Sequence, residues 1–396
     1  MHRSKRAFSL PFMLAAGAVA AGAVAAALAS AGITVLQLPD ELTVHGNGSS
    51  RLSTLLPVSV ECRDETSQSA QAKLFGVVEV KNVAIRRESP KKVMLAGTLF
   101  GLRMYSDGVM VVGLSDFDSD GKKVNPAKES GIRQGDIIRS AGGKAVYTNA
   151  DFAAAVKNTK GALSINLTDS EGKTKDVTLT PAHSDADGCL KTGMWVRDSA
   201  AGLGTLTYID PQSGSFGGLG HGICDADTHG IIPIHDGEIV SARISGVRKG
   251  VRGKAGEIMG YLGGGELGVL QSNSSRGAFG RYTADLPDFR EYEAAVKQEI
   301  RQGKAKLLCT VTSDCVPRLY DIEIENIKYS GEPTKNMIVR VTDDNLLRET
   351  GGIIQGMSGS PIIQNGKFVG AVTHVFVNDP KRGYAIFAEN MLSQNE

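Results

Sequence analysis

Short apolar runs, many of them alternating with polar residues, fill the chain from about residue 190 onward. GMWVRDSAAGLGTLTYID, GEIVSARISGV, KLLCTVTS, LYDIEIENIKY and NMIVRVTD each predict strand, and turns separate them. Many short strands at this spacing are typical of a barrel or a sandwich. One segment breaks the pattern, because DLPDFREYEAAVKQEIRQGK is predicted to be helical. The second half of the chain is therefore predicted to be mainly β.

Residues 93–182 combine strand and helix signals. GTLFGLRMYSDGVMVVGL alternates like paired strands, and PAKESG starts a helical turn that leads through a tight turn to a buried strand. TNADFAAAVKNT predicts a short amphipathic helix capped by Thr148 or Asn149. A hairpin around Glu171 and Gly172 closes the region. This α+β order resembles a PDZ domain.

The segment SGIRQGDIIRSAGGKAV carries the PDZ resemblance, since its glycines and Asp136 stand where bacterial PDZ domains carry theirs. The resemblance matches LFGLRM with the carboxylate-binding loop and the strand at the edge of the groove. It implies that Leu99, Phe100, Gly101 and Leu102 bind the end of an extended peptide, which adds to the edge of the sheet. A plain α+β module without a ligand is the alternative.

The N-terminus indicates export. MHRSKR places three cations before an uncharged stretch from Ala7 to Leu38, and the first acid is Asp40. That stretch exceeds the ~20 residues that cross a bilayer, and the positive flank predicts a cytoplasmic N-terminus with the rest of the chain exported. Residues 1–39 are predicted to be a transmembrane anchor, and a signal peptide cleaved near AALASAG is the alternative. Residues 40–92 are mostly polar and predict a tether, open to proteolysis, with one short strand in LFGVVEVKNVAI.

Charge and cysteine content bear on the class of function. Lys and Arg number 44 against 43 Asp and Glu, so no strong field favours nucleic acid. Five cysteines form no CxxC pair and predict no zinc site, and pairing of Cys309 with Cys315 stays open. DFDSDG copies the first half of a calcium loop, but Ala127 occupies the position that needs a bidentate Glu. No metal, cofactor or nucleic-acid partner is predicted.

The segment GMSGSP near the C-terminus predicts a serine nucleophile. A serine enzyme needs an exposed hydroxyl beside a base, and N–H groups aimed at the oxyanion that forms on attack. Gly356 and Gly359 let the backbone turn tightly around Ser358, and the spacing G-x-S-G-x-P is that of chymotrypsin-like peptidases. The N–H groups of Gly356 and Ser358 are the predicted oxyanion donors. A glycine-rich turn without chemistry is the alternative.

His221 is the predicted general base. It follows an apolar strand in the glycine-rich corner SFGGLGHGICD, where a side chain can face a cleft. His374 lies on the strand after the nucleophile, which borders the primary specificity pocket in chymotrypsin-like folds, and it is interpreted as a wall of that pocket. Cys224 is a rival nucleophile, but it lacks an oxyanion-forming turn of its own.

Several aspartates compete for the role of the acid that orients the base. Asp343 ends an apolar strand in VRVTDDNLL, where its carboxylate could reach His221. The resulting order of histidine, aspartate and serine is that of chymotrypsin, but Asp343 lies much closer to Ser358 than chymotrypsin's arrangement allows. The other candidates are Asp225, Asp227, Asp236, Asp321 and Asp344.

A resemblance to one family covers the chain from the PDZ-like region to the C-terminus. The N-terminal span, DSAAGLGTLTYID, GGLGHGICD and TGGIIQGMSGSPIIQNGKFVGAVTHVFVNDPKRGYAIF together resemble the stage IV sporulation protein B peptidases of endospore-forming bacteria. The resemblance implies a chymotrypsin-like double β-barrel over residues 183–396. By motif, the family's catalytic residues fall on His221, Asp343 and Ser358.

The resemblance also implies a place and a role. Such peptidases are exported across the forespore inner membrane, and this chain would stay anchored through residues 7–38 or be released between the two forespore membranes. They cleave their own N-terminal segment, here expected within residues 40–92. They then cut a regulator of an intramembrane protease, so that a late mother-cell sigma factor precursor is processed. The alternative is a non-catalytic PDZ adaptor whose peptidase-like domain binds a membrane partner.

Overall fold

A computed structural model describes residues 25–45, 50–52, 54–62 and 67–393. The first strands are β1 (Glu41–Val44), β2 (Ser50–Leu52), β3 (Val58–Cys62), β4 (Ser69–Leu74), β5 (Val78–Arg87), β6 (Lys92–Leu114), β7 (Phe117–Ser119), β8 (Lys122–Val124), β9 (Ile137–Ala141), β10 (Lys144–Ala145), β11 (Leu163–Thr168), β12 (Thr174–Leu179) and β13 (Ala182–His183). The others are β14 (Leu190–Lys191), β15 (Met194–Ile209), β16 (Ser215–Gly218), β17 (Ile234–Arg248), β18 (Glu257–Ser274), β19 (Gly277–Tyr282), β20 (Glu291–Glu293), β21 (Gly303–Cys309), β22 (Arg318–Ile327), β23 (Met337–Val341), β24 (Pro361–Gln364), β25 (Lys367–Val375) and β26 (Arg382–Phe387). The helices are α1 (described over 25–36), α2 (Pro126–Glu129), α3 (Asn149–Asn158), α4 (Asp344–Thr350) and α5 (Ala388–Leu392), with one 3₁₀ turn at Lys297–Glu299. The chain is mainly β, as predicted.

The N-terminal part of the chain forms a sheet of its own, in the order β1-β5-β4-β3-β2. Ala70, Ala72 and Leu74 alternate inward along β4, and polar residues between them face outward. The prediction of a tether over residues 40–92 is therefore wrong. The strands are short and their outer faces are polar, so the alternation was not recognised in the sequence. The predicted membrane span lies largely in residues 1–24, outside the described residues. Among the residues described, no helix is both long and apolar enough to cross a bilayer.

The first barrel is a closed ring of strands. β6 pairs with both β15 and β17, and the order β6-β15-β16-β19-β18-β17 returns to β6. Phe100 and Phe216 are fully buried in its core. The barrel thus combines strands from both sides of the predicted domain boundary at residues 182 and 183.

The residues predicted to bind a peptide lie in the wall of this barrel. Phe100, Gly101 and Leu102 are paired with β15 on one side and with β17 on the other, and Leu99 pairs with β15. The side chains of Leu99, Phe100 and Leu102 are buried. A peptide cannot add to a strand whose two edges are already paired. The prediction of a peptide groove at these residues is wrong, since the alternation in LFGLRM is that of a barrel strand.

An α+β module extends from the distal half of β6. Beyond residue 108, β6 continues the sheet toward β9, β11 and β12, and it also pairs with the start of β15. The predicted helix is confirmed as α3, whose Thr148 and Asp151 form a capping box. The predicted hairpin is confirmed as β11 and β12.

The second barrel closes in the order β21-β22-β23-β26-β25-β24. The segment leading into it, residues 285–304, was predicted to be helical, and that prediction is wrong, because it contains β20, the 3₁₀ turn and the start of β21. The N–H groups of Ala294 and Ala295 donate to the carbonyls of Lys91 and Phe368, each at 2.8 Å. Backbone bonds to Lys91, just before β6 of the first barrel, and to β25 of the second barrel thus replace those of a helix.

Candidate active site

The predicted nucleophile lies on a tight turn that leads into β24. Gly356 and Gly359 have φ values of 96° and 94°, a region that side chains disfavour. Ser358 stands between them. Ser358 Oγ donates a hydrogen bond of 2.7 Å to the carbonyl of Thr373. The two glycines therefore provide the backbone conformation of the turn that carries Ser358.

The first barrel holds the nucleophile turn of the second. The N–H of Thr205 donates to the carbonyl of Ser358 at 3.0 Å, and its Oγ1 donates to the carbonyl of Gly356 at 2.8 Å. Thr207 Oγ1 donates to the carbonyl of Gly359 at 2.7 Å. The sequence analysis missed both threonines, although their alternation in GTLTYID signals one face of a strand.

The predicted oxyanion donors are left available by these bonds. In the part of the chain that the structure describes, the N–H groups of Gly356 and Ser358 donate to no protein acceptor, whereas those of Met357 and Gly359 do. Gly356 and Ser358 both line the cleft described next. Unpaired N–H groups beside a nucleophile are what an oxyanion hole requires.

A cleft of about 1080 Å³ lies between the barrels and brings the predicted residues together. Ser358, His221 and His374 all line it, and so does the loop around Cys224 and His229. Partial desolvation raises the pKa of the Cys224 thiol, although the residue is exposed at the surface, and this disfavours the nucleophilic thiolate. The unpaired N–H groups beside Ser358, together with the raised pKa of Cys224, therefore favour Ser358 over Cys224.

His221 is held in the tautomer that a general base needs. Its Nδ1 lies 2.9 Å from the carbonyl of Gly222, which can only accept a hydrogen bond, so the proton belongs on Nδ1. Nε2 then keeps its lone pair for the serine proton. Burial lowers the pKa of His221, so the ring is neutral and competent at neutral pH. The Ser358 hydroxyl bonds the carbonyl of Thr373 in this structure and forms no hydrogen bond to this ring among the described residues.

His374 packs against the base. The two imidazole centroids are 4.7 Å apart and the rings are tilted by 34°. Burial and the neighbouring His221 lower the pKa of His374 to about 4, so it is uncharged at neutral pH. The structure places His374 in the cleft wall, and its role in specificity stays a prediction.

Asp343 is not brought to His221. Its carboxylate caps α4 by accepting from the N–H groups of Asn345 at 2.9 Å and Leu346 at 3.1 Å, and it also accepts from Asp321. Asp225 and Asp227 bind Arg197 instead, and Asp321 pairs with Lys306. Among the described residues, none of the predicted acids forms a hydrogen bond or an ion pair with either cleft histidine. Glu332, which the sequence analysis missed, is an acid that lines the cleft.

Replacing Asp343 with asparagine separates a capping role from a catalytic one. Asn caps helices about as well as Asp. We therefore expect Asp343→Asn to leave the free energy of unfolding nearly unchanged and to keep kcat/KM within a few-fold of the parent's. A triad aspartate changed in this way loses about 10⁴-fold in kcat. Peptide hydrolysis and urea unfolding measure the two quantities. Asp343→Ala serves as the control, with an expected loss of ~1 kcal/mol in the free energy of unfolding; a 10⁴-fold loss for the asparagine variant would restore Asp343 to the triad.

Comparison with known proteins decides the family. A family model described as SpoIVB peptidase S55 matches residues 188–392, a stretch longer than half of the chain. The chain belongs to the SpoIVB peptidase S55 family. It is therefore a serine peptidase, and the matched stretch of this S55 peptidase contains His221, Ser358 and His374.

Other comparisons add little to this assignment. No curated protein matches the S55 peptidase. The crystal structure of the inactive form of Rv3671c protease is 16% identical, with a TM-score of 0.29, and covers 48% of this chain and 82% of its own. An inactive serine-to-alanine mutant of Rv3671c from M. tuberculosis H37Rv is 14% identical, with a TM-score of 0.28, and covers 49% and 80%. Neither likeness is strong enough to bear on the fold or the site.

Proposed function

We propose that this chain is an exported endopeptidase of sporulation that cleaves its own N-terminal segment and then a membrane-associated regulator of an intramembrane protease. That second cut would allow a late mother-cell sigma factor precursor to be processed. Membership in the SpoIVB peptidase S55 family supports the sporulation role. The observation that carries the chemistry is Ser358 sharing one cleft with a His221 whose Nδ1 is committed to a carbonyl.

In the proposed reaction Ser358 attacks the scissile carbonyl while Nε2 of His221 takes its proton. The same ring later returns the proton to the leaving amine. The N–H groups of Gly356 and Ser358 stabilise the oxyanion. The carbonyl of Gly222 keeps the imidazole in the required tautomer, the orienting part of an aspartate's role.

We place the enzyme at the outer face of the forespore inner membrane, anchored through residues 7–38 or released after cleavage. The uncharged sequence from Ala7 to Leu38, with cations before it, supports this localisation.

A peptide-binding groove of the PDZ type fits a different strand from the one predicted. A cavity of about 940 Å³ lies between α3 and the start of β15, and Ala153, Val156 and Trp195 line it. Residues 194–197 of β15 pair with β6 on one side only among the described strands. The other edge is open to an extended peptide, which is how PDZ domains bind their ligands.

The groove also has a direct connection to the catalytic cleft. Arg197, at the end of the open edge, forms ion pairs with Asp225, whose side chain is fully buried, and with Asp227 at 2.8 Å. These aspartates belong to the loop whose Cys224 and His229 line the cleft. A peptide that shifts this edge would therefore also bias the loop beside His221.

Blocking the groove is expected to slow self-cleavage. Ala153→Phe places a ring in the space beside β15, and we expect at least a several-fold slower rate of N-terminal self-cleavage, followed by intact mass. Ala154→Phe is the matched control, since Ala154 is exposed on the same helix but does not line the groove. Cleavage of a short peptide should be equal in both variants. If the two variants also cleave themselves at equal rates, the groove has no role in self-cleavage.

A further inference from the structure

A loop of the first barrel reaches the second barrel just before the nucleophile turn. Residues 249–256, here called the bridging loop, connect β17 to β18. The N–H of Gly250 donates to the carbonyl of Thr350 at 2.8 Å, and the N–H of Gly253 donates to the carbonyl of Val377 at 2.9 Å. Both acceptors lie in connections between strands of the second barrel. The bridging loop therefore ties the two barrels together through its main chain.

The start of β18 forms one rung of parallel sheet with Gln355. The N–H of Gln355 donates to the carbonyl of Gly256 at 2.9 Å, and the N–H of Ile258 donates to the carbonyl of Gln355 at 2.8 Å. These two bonds flank Glu257, which is the bridge partner of Gln355. The first barrel therefore holds both main-chain groups of Gln355, three residues before Ser358.

This rung determines where the next N–H group points. The carbonyl of Gln355 and the N–H of Gly356 belong to one peptide unit, which is planar and trans. In such a unit the two groups point in opposite directions, so a bond that fixes the carbonyl also fixes the N–H. Among the described residues, the N–H of Gly356 donates to no protein acceptor. Ile258 thus fixes the orientation of a proposed oxyanion donor through the other end of the same peptide unit.

The covalent chain does not hold this peptide unit by itself. Turning the unit over changes ψ of Gln355 and φ of Gly356, and glycine adopts positive and negative φ about equally readily. Gly356 has a φ of 96° in the structure. The bond from Thr205 Oγ1 to the carbonyl of Gly356 fixes the following peptide unit and not this one. The bond from Ile258 therefore selects between two orientations of the donor.

We propose that Ile258 is a positioning residue of the oxyanion hole, which acts through its main-chain N–H. The first barrel then has two roles in catalysis, because it carries His221 and also orients the N–H of Gly356 on the second barrel. Ile258 acts on a group that stabilises the oxyanion and not on the bound peptide, so its bond lowers the energy of the transition state without tightening the binding of substrate. This inference rests on the proposed peptidase function and deepens it.

Exchange of one amide for an ester tests this role without changing a side chain. In the full chain, Ile258 is replaced by the α-hydroxy acid that has the same side chain, which removes only its N–H. Replacement of Gly250 by glycolic acid is the matched control. Gly250 is also buried, and its ester loses a bond of the same length, 2.8 Å, from the bridging loop to the second barrel. Urea unfolding checks that both esters are folded.

The kinetic readout separates binding from catalysis. The substrate is a peptide that spans the self-cleavage site mapped on the parent chain. We expect the Ile258 ester to lower kcat at least about tenfold and to keep KM within about twofold, since outright loss of one oxyanion donor costs about 10²–10³ in kcat. The Gly250 ester is expected to keep both constants within about twofold of the parent's.

Each result bears on the proposal. A fall in kcat at unchanged KM that is confined to the Ile258 ester supports the positioning role. A rise in KM at unchanged kcat overturns it, because the bridging loop then shapes only the substrate site. Equal losses in the two esters, or parent-like kinetics of the Ile258 ester, also overturn it and leave the peptidase proposal intact. A parent chain that cuts neither itself nor any peptide contradicts the proposed function and the positioning role together.

Discussion

Replacing Ser358 with alanine is expected to abolish self-cleavage, with a loss of at least about 10⁴-fold in kcat for any peptide substrate. No other hydroxyl has both a base and unpaired N–H groups beside it in the described cleft. Alanine removes the attacking oxygen and the hydrogen bond to Thr373 but leaves the turn, which is held by backbone groups and Thr205. Intact mass of the purified full chain, followed over time, measures the effect.

Ser360→Ala is the matched control for this experiment. Ser360 is fully buried two residues away, and among the described residues its hydroxyl forms a hydrogen bond to Thr205 Oγ1 at 3.4 Å. We expect this variant to keep self-cleavage within a few-fold of the parent. If the Ser358→Ala protein is cut as fast as the parent, Ser358 is not the nucleophile. Cys224 would then become the candidate despite its raised pKa.

The parts of the site that were predictable from the sequence are those encoded by local spacing. Gly356, Ser358 and Gly359 form one turn, and the glycine-rich corner around His221 is a second local signal. Each motif carries its own backbone requirement, so each can be recognised without knowing the fold. The cleft that brings the two motifs together forms where the two barrels pack. The motifs alone were nevertheless enough to predict that Ser358 and His221 lie side by side in a cleft.

The predictions that were wrong are those that depend on which strands become neighbours in the fold. LFGLRM alternates equally well as a groove edge or as a barrel strand, and only pairing with β17 decides between them. Asp343 ends a strand as predicted, but its carboxylate satisfies the first turn of α4 before it can reach a distant histidine. Thr205 matters through a contact with a turn that is far away in sequence. Local pattern carries no information on such contacts.

Replacing Gly359 with alanine is the second change with a large expected effect. At a φ of 94°, a Cβ would lie 2.2 Å from the carbonyl oxygen of Thr205 and 2.5 Å from the N–H nitrogen of Leu219. Both atoms are backbone, so the barrels themselves must move apart. Leu219 also lies two residues before His221, so nucleophile and base are displaced together. We expect at least about a 10²-fold loss in kcat/KM, the effect of a misplacement near 1 Å, and ~2–4 kcal/mol less free energy of unfolding.

Gly366→Ala separates the clash from the cost of the backbone conformation. Gly366 has a φ of 77° in the turn between β24 and β25, and a Cβ there would meet nothing within 4 Å. This control should lose only ~1 kcal/mol in urea unfolding and keep its kcat/KM. Equal behaviour of the two variants would mean that left-handed strain alone explains Gly359. A loss of activity confined to Gly359→Ala would instead show that catalysis depends on the close approach of the barrels, because Thr205 and Leu219 of the first barrel fix the turn that presents Ser358 of the second.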